Sequence, residues 1–378
     1  MSKRVCAVLT YPNRHIVDVF ESLKLCNYEV DYFFFNPIPD FRKNNNWAPP
    51  SSSTFLSLRH PHTYTALFKQ FKNGDAVFFQ GLLRPSILNG MVQIISQFMG
   101  VKRFILSEGS RKKSRPNVLF RAIASALFNS PTVQHLSIGN SSSRDYYNYG
   151  LTNWRFRKFC FCENYDSAEG QKWLDVDDRE LVILCAGRLI KRKNFSEVIR
   201  SLYSYSGAKN VTVAICGDGP EEENLRLLAK DLPEKVSVFF AGHISMEELN
   251  SFYRRADIFV LPSLYEGWGV VVNHALHFGL PMILRSTVRS GIDYLLLNGK
   301  NGFSYVDTDS LTQAIVRLAE EDELRESMSE ASFEHNKLWC MRSVISRLDQ
   351  LIQDRDVHFE NGPLTEVYLT GDHDSSES

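Results

Sequence analysis

No apolar run in this 378-residue chain approaches the roughly 20 residues that a membrane-spanning helix needs. The opening stretch MSKRVCAVLTYP turns at Pro12 before the apolar core of an export signal develops, so a cytoplasmic protein, at most peripheral to a membrane, is expected. Cysteine is sparse and odd in number: Cys6, Cys26, Cys160, Cys162, Cys185, Cys216 and Cys340 are seven in all, mostly within apolar runs. That pattern argues against a disulfide framework and for reduced core thiols. Cys160 and Cys162 form the one close pair, and HisProHis at 60–62 is a second weak metal signal; no metal and no cofactor is expected. No internal repeat of short period is present.

Net charge is also nearly absent, with 43 Lys plus Arg against 44 Asp plus Glu. The neutrality is a sum of two unlike halves. Residues 1–165 carry 21 basic and 9 acidic side chains, a balance of +12, and residues 166–378 carry 22 and 35, a balance of −13. A positive field of domain size favours anionic partners such as lipid headgroups or acidic glycans. Attraction between a basic and an acidic lobe accounts for the same split. No nucleic-acid partner is expected. What the chain does have is apolar mass: 43% hydrophobic and 12% aromatic residues suffice for two cores of ordinary size.

Both halves alternate strand and helix. Residues 4–10 and 29–36 read as strands around an amphipathic helix over 16–25, with further strands at 76–80 and 103–107, a doubly wound pattern. A polar, Pro-rich loop from 37 to 53 interrupts it. Composition turns polar and acidic after Cys162, which places a linker there. The pattern restarts with apolar strands at 181–186, 211–216, 236–241 and 258–262, each followed by a helical segment, so a parallel sheet with crossover helices is expected. The implied organisation is an N-terminal domain over 1–165, a second over 166–335, a last amphipathic helix over 336–354, and a flexible acidic tail over 355–378.

The most informative stretch runs from Ala256 to Ile283. An apolar run ends in Pro262 and Ser263; Glu266, Gly267, Trp268 and Gly269 follow in a loop; a helix comes next. That arrangement aims backbone N–H groups at an anion. It resembles the donor-sugar motif of the retaining glycosyltransferases of family 4, the group 1 glycosyl transferases. The resemblance implies a GT-B fold: two Rossmann-like doubly wound domains facing a cleft, with the C-terminal helix crossing back onto the first. In that family a Glu is followed eight positions later by a second Glu; here Glu266 is the first and His274 stands at the second.

Three further elements fit the resemblance. Gly187, Arg188 and Lys193 follow the strand at 181–186, and by resemblance the two cations hold the donor diphosphate and stabilise charge developing on it as the glycosidic bond breaks. Lys191 and Arg192 have no family counterpart and read as solvated charges. Cys216 to Pro220 resembles the family's GDGP turn, and Asp218 reads best as structural. The loop carrying His243 and Ile244 corresponds to the one that passes the nucleotide base.

Glu266 has no core role in a loop and by resemblance accepts hydrogen bonds from donor-sugar hydroxyls, helix capping being the plainer alternative. The amides of Gly267, Trp268, Gly269 and Val270 complete the donor site at the helix amino end. A carboxylate accepts from two vicinal ribose hydroxyls, whereas an imidazole offers one acceptor and one donor. His274 therefore implies a working but weakened site, donor affinity falling about 5-fold to 150-fold for one hydrogen bond lost. The alternatives are that His274 faces the interior with Asn273 nearer the ribose, or that the site is inactive.

The first half lacks the Gly-rich loop often found after the family's first strand and is expected to hold the acceptor. Glu108, after the strand at 103–107, is a candidate for positioning a substrate. Arg111, Lys112, Lys113 and Arg115 lead into an apolar helix near 117–128, a combination suited to an anionic membrane surface and equally to a core helix beside a solvated basic loop. The function implied is a hexosyltransferase that moves a sugar from a nucleotide-diphosphate donor to a hydroxyl acceptor, a glycan or lipid-linked glycan, with retention of configuration and no metal. A catalytically weak or inactive GT-B subunit is the alternative, and a nucleotide-sugar epimerase fits less well.

Overall fold

The computed structural model describes residues 3–12, 14–37, 55–81, 87–108, 118–130, 132–162, 180–354 and 356–367. The loop expected over 37–53, the linker after Cys162 and the basic stretch Arg111 to Arg115 lie almost wholly outside these residues. The chain divides into two units, residues 1–164 with 341–378, and residues 165–340.

In the first unit, β1 (Lys3–Leu9), β2 (Tyr28–Phe34), β3 (Phe55–Ser57), β4 (Ala76–Gln80), β5 (Lys102–Glu108), β6 (Val133–Ile138) and β7 (Arg155–Lys158) form one sheet in the order β3-β2-β1-β4-β5-β6-β7. Every pair is parallel. The near-continuous apolar runs in β1 and β4 are what a sheet covered on both faces requires. Cys6, Val8, Phe33, Val77, Phe79 and Ile105 pack with Phe71 and Phe128 in its core.

The helix Met341–Gln353 belongs to this first unit and contacts the helix Arg14–Ser22. Asp349 anchors it, accepting from Lys3 Nζ at 3.0 Å and from the Tyr28 hydroxyl at 2.9 Å. Lys102 donates to the carbonyls of Ile352 and Gln353, satisfying the helix end where a cation is favoured. The last helix was expected to run unbroken from about 335. Instead the helix Asp322–Trp339 ends in the second unit, and extended Cys340 separates it from Met341–Gln353.

Part of the stretch expected as a flexible tail is tied down. Leu364 N donates to Lys158 O at 2.7 Å, Lys158 N to Thr365 O at 2.9 Å and Val367 N to Phe156 O at 2.8 Å, adding an antiparallel segment to the edge of β7. Residues 368–378 lie outside the described part.

In the second unit, β8 (Leu181–Ala186), β9 (Val211–Cys216), β10 (Val236–Gly242), β11 (Ile258–Leu261), β12 (Met282–Arg285) and β13 (Gly302–Tyr305) pair in the order β10-β9-β8-β11-β12-β13, again all parallel. The strand order reverses between β8 and β11, the point at which sheets of this kind bind ligands beyond their carboxyl ends. Both strands are fully buried, and the loops that leave them hold the candidate residues Arg188, Lys193 and Glu266. All seven cysteines are free thiols, and Sγ of Cys160 lies 3.1 Å from Sγ of Cys162. No helix among the described residues is long and apolar enough to cross a membrane.

Candidate functional site

Beyond β8 the chain passes through Gly187, at φ +144°, and Arg188 into a 3-10 turn over Lys191–Lys193. This loop is braced by the one after β9. Gly187 N donates to Cys216 O at 2.9 Å and Leu189 N to Asp218 O at 2.8 Å, while Leu189 O accepts from Glu221 N at 3.0 Å. The approach is close enough to require glycine: a Cβ on Gly217 would lie 2.1 Å from Gly187 O, and one on Gly219 would lie 2.4 Å from Leu189 O. The GDGP turn thus acts as a backbone buttress for the loop that bears Arg188. The Asp218 side chain is exposed, with His243 Nδ1 at 3.7 Å.

Lys193 ends the turn buried, at 9% exposure. Its side chain lies over Gly187, where an added Cβ would be 3.2 Å from Lys193 Cε. Asn194, in the left-handed region at φ 54°, turns the chain into the helix Phe195–Ser201. Asn194 Nδ2 donates to Glu197 at 2.8 Å, and Glu197 also accepts from the Tyr305 hydroxyl at 3.1 Å and from Arg285. Glu197 and Tyr305 are buried, so the start of this helix is pinned to the ends of β12 and β13.

Adjacent β11 leads through Pro262 and fully buried Ser263 to Glu266. Glu266 Oε1 accepts from Lys193 Nζ at 2.5 Å and from Ser263 Oγ at 2.8 Å, and lies 3.3 Å from Arg192 Nη1. Burial pushes the Glu266 carboxyl up, but the charge and hydrogen bond of Lys193, with Arg192 and Ser263, outweigh it and hold the group below its ordinary value. The three contacts converge on one oxygen, and none of the described residues donates to Oε2. Arg188, in the same loop as Lys193, is exposed.

The loop closes on a core. Trp268, 3% exposed, donates from its indole to Asn273 Oδ1 at 2.6 Å, and its ring lies 6.0 Å from Tyr294, which stacks on Trp339. Gly269 starts the helix Val270–His277 at φ 79°. A Cβ there would meet nothing nearer than 3.6 Å, so the backbone angle rather than crowding requires glycine.

One and a half turns on, His274 is 1% exposed, its ring edge-on to Tyr253 at 5.5 Å, and the Tyr253 hydroxyl donates to Val271 O at 3.1 Å. His243 is exposed and Ile244 half-buried after β10. Glu108 is exposed at the carboxyl end of β5, in the first unit.

The second unit therefore brings Gly187, Arg188, Lys193 and Glu266 to one end of its sheet. Arg192, expected to be solvated, instead contacts the Glu266 loop, and Ser263, Glu197, Arg285 and Tyr305, which the motifs leave without a role, support the two loops. The available signal was position: Arg192 precedes Lys193, and Arg285 ends a strand on the same edge.

Residues 167–335 match the family described as Glycosyl transferases group 1. Among curated proteins, a lipopolysaccharide core biosynthesis glycosyltransferase of Rhizobium meliloti is 29% identical over 43% of this chain and 46% of its own length. A GDP-mannose-dependent alpha-(1-6)-phosphatidylinositol monomannoside mannosyltransferase of Mycolicibacterium smegmatis is 30% identical over 46% of this chain and 48% of its own. The chain thus spans about half the length of these relatives. Among solved structures, a sucrose-phosphate synthase from Thermosynechococcus elongatus superposes with a TM-score of 0.65 at 16% identity, covering 93% of this chain and 98% of its own. That similarity is one of fold.

Proposed function

For a chain that belongs, through residues 167–335, to the group 1 glycosyl transferases of GT-B fold, we propose transfer of a hexosyl group from a nucleotide-diphosphate donor to a hydroxyl acceptor with retention of configuration. The observation that carries this reading is the Lys193 to Glu266 pair, 2.5 Å apart at the reversal point of the second sheet. A cation for the diphosphate and an ionised acceptor for sugar hydroxyls are both needed, and the pair supplies them side by side.

In the proposed site, Arg188, which is exposed, and Lys193, which follows it in the loop and is buried, bind the diphosphate, and Glu266 accepts from the sugar through Oε2. The amides of Gly267 to Val270 face the anion from the amino end of their helix. Ile244 and His243 flank the base. The step is a front-face displacement. The acceptor oxygen bonds to the anomeric carbon as the bond to phosphate breaks, the departing phosphate oxygen takes the acceptor proton, and Arg188 and Lys193 stabilise the charge on it. Glu108 is proposed to position a substrate. The burial of His274 against Tyr253 supports an interior packing role for that residue, so the ribose is held without a carboxylate from this helix.

The acceptor is proposed to be a lipid-linked or membrane-proximal glycan, with the protein attached peripherally to an anionic surface. Two helices of the first unit support this. In Ile87–Phe98, which has no ionisable residue, Leu88, Met91, Ile95 and Phe98 are exposed at helical spacing. In Val118–Phe128, Val118, Leu119 and Leu127 are exposed. Both helices cross the sheet in the same direction, from β4 to β5 and from β5 to β6, and so cover one face. Residues 102–121 carry seven Lys or Arg against one Glu.

The test is calorimetry of the full chain against uridine, guanosine and adenosine diphosphate sugars, with donor hydrolysis followed in parallel. Binding of one donor, with slow hydrolysis lost in Glu266→Ala, supports the transferase. Binding without any turnover supports the inactive subunit, and no binding at all sinks both.

A further inference from the structure

Arg192 grips the Glu266 loop from three sides. Its backbone carbonyl accepts from Leu264 N at 2.9 Å, its guanidinium donates to Tyr265 O at 2.5 Å, and the same Nη1 lies 3.3 Å from Glu266 Oε1. Three consecutive residues of the loop after β11 are thus held by one residue of the loop after β8. A solvated surface cation makes no such set of contacts, and the Arg192 side chain is only 33% exposed.

The arrangement matters because Glu266 shares Lys193 with the proposed donor. An arriving diphosphate draws the Lys193 ammonium toward its own oxygens and away from Glu266. A carboxylate with 9% of its side chain exposed would then sit with its nearest counter-charge engaged elsewhere, a state that favours protonation or displacement. Arg192 supplies the second positive charge on the same oxygen. Its planar fork is already fixed by Tyr265 O, so little ordering remains to be done when it takes over.

We propose that Arg192 is a positioning residue that keeps Glu266 ionised and in place when Lys193 turns to the donor diphosphate, and so sets affinity for the sugar moiety rather than for the nucleotide. The inference rests on the transferase reading above. It separates two cations adjacent in sequence. Lys193 serves the phosphates, and Arg192 serves the carboxylate that reads the sugar.

The test compares bare uridine, guanosine and adenosine diphosphates with their glucose and mannose conjugates by calorimetry on the full chain, for the wild type, Arg192→Met, Arg192→Lys and Lys193→Met. Arg192→Met is expected to weaken the sugar conjugate about 10-fold, the loss of roughly one charge-assisted hydrogen bond, with the bare diphosphate unchanged. Arg192→Lys, which keeps the charge without the fork, is expected to recover part of that loss. Lys193→Met is expected to weaken both ligands alike.

Equal weakening of both ligands in Arg192→Met would make Arg192 a phosphate cation and overturn the proposal, as would no change in either. A wild type that binds none of these ligands defeats the transferase reading instead. In that event hydrogen exchange still tests the clamp. The amides of 264–268 exchange faster in Arg192→Met if it exists, while unchanged exchange there overturns it.

Discussion

Lys193 and Glu266 are 73 positions apart in sequence and 2.5 Å apart in space, because β8 and β11 are neighbours whose carboxyl ends open at the same edge of the second sheet. Neither residue lies in a strand. Each is placed by how its loop is braced: Lys193 by the turn that Gly217 and Gly219 support, Glu266 by Ser263 and by Trp268 sunk in the core.

The pair predicts an acid limb. Glu266 has a folded-state pKa below its ordinary value, so it contributes stability above the normal carboxylate range, ~4.3, which is lost as pH falls through the depressed value. In Lys193→Met, burial is opposed by Arg192 and Ser263 without the ammonium, and the pKa rises. Melting temperature followed against pH is expected to start its acid decline at a higher pH in Lys193→Met than in the wild type. Coincident declines would mean that Lys193 does not tune this carboxylate.

Gly217→Ala is expected to destabilise by roughly 2–4 kcal/mol, because its Cβ would meet Gly187 O at 2.1 Å in a backbone region almost reserved for glycine. Gly242→Ala is the control. Its φ is +69° with nothing within 4 Å, so about 1 kcal/mol is expected. Denaturant titration of the two variants checks the difference. Gly217→Ala should also weaken diphosphate binding through the displaced loop.

His274→Glu would place a carboxylate at a site 1% exposed beside the Tyr253 ring. A loss of stability on the order of 2–4 kcal/mol is expected, a fall in Tm of roughly 5–15 °C, with nucleotide affinity no tighter than in the wild type. Tighter donor binding at unchanged Tm would instead place residue 274 at the ribose.

Arg157 is fully buried and donates to Gln134 Oε1 at 2.8 Å, Leu364 O at 2.9 Å, Val357 O at 2.9 Å and Glu366 Oε1 at 3.0 Å. It therefore ties the segment 356–367 to β7. Arg157→Met is expected to cost about 3 kcal/mol and to open that segment to proteolysis, whereas Arg155→Met, which loses an exposed pair with Asp356, is expected to do neither. Limited digestion read by mass spectrometry distinguishes them.

Peripheral attachment predicts that the full chain sediments with vesicles containing phosphatidylserine and that binding falls with salt. Phe98, 85% exposed, is the most exposed of the described apolar side chains on these two helices, and Phe98→Ser is expected to weaken binding about 10-fold or more. Equal binding to purely zwitterionic vesicles would count against an anionic surface.

The alternation of apolar strands with amphipathic helices, the two cores and the donor motif were legible in order along the chain, since each rests on residues within about 20 positions of one another. Gly187, Arg188, Lys193, Glu266 and Gly269 are donor-site candidates drawn from such local patterns, and the strand order of the second sheet places their loops at one end of it. The edge segment after Asp354 was not legible, because its acidic composition resembles a tail. What holds it is Arg157, some 200 positions away.

Arg192 and His274 show where sequence stops being enough. Strand period, glycine conformation and helix amino ends are local properties, so the class of fold, the resemblance to the family and the candidate residues of the second unit could all be read along the chain. The contacts of Arg192 with residues 264–266 and the burial of His274 against Tyr253 could not be read in the same way. Both outcomes depend on which loops and helices stand side by side once the second sheet has formed, and that is set by packing between segments far apart in the chain.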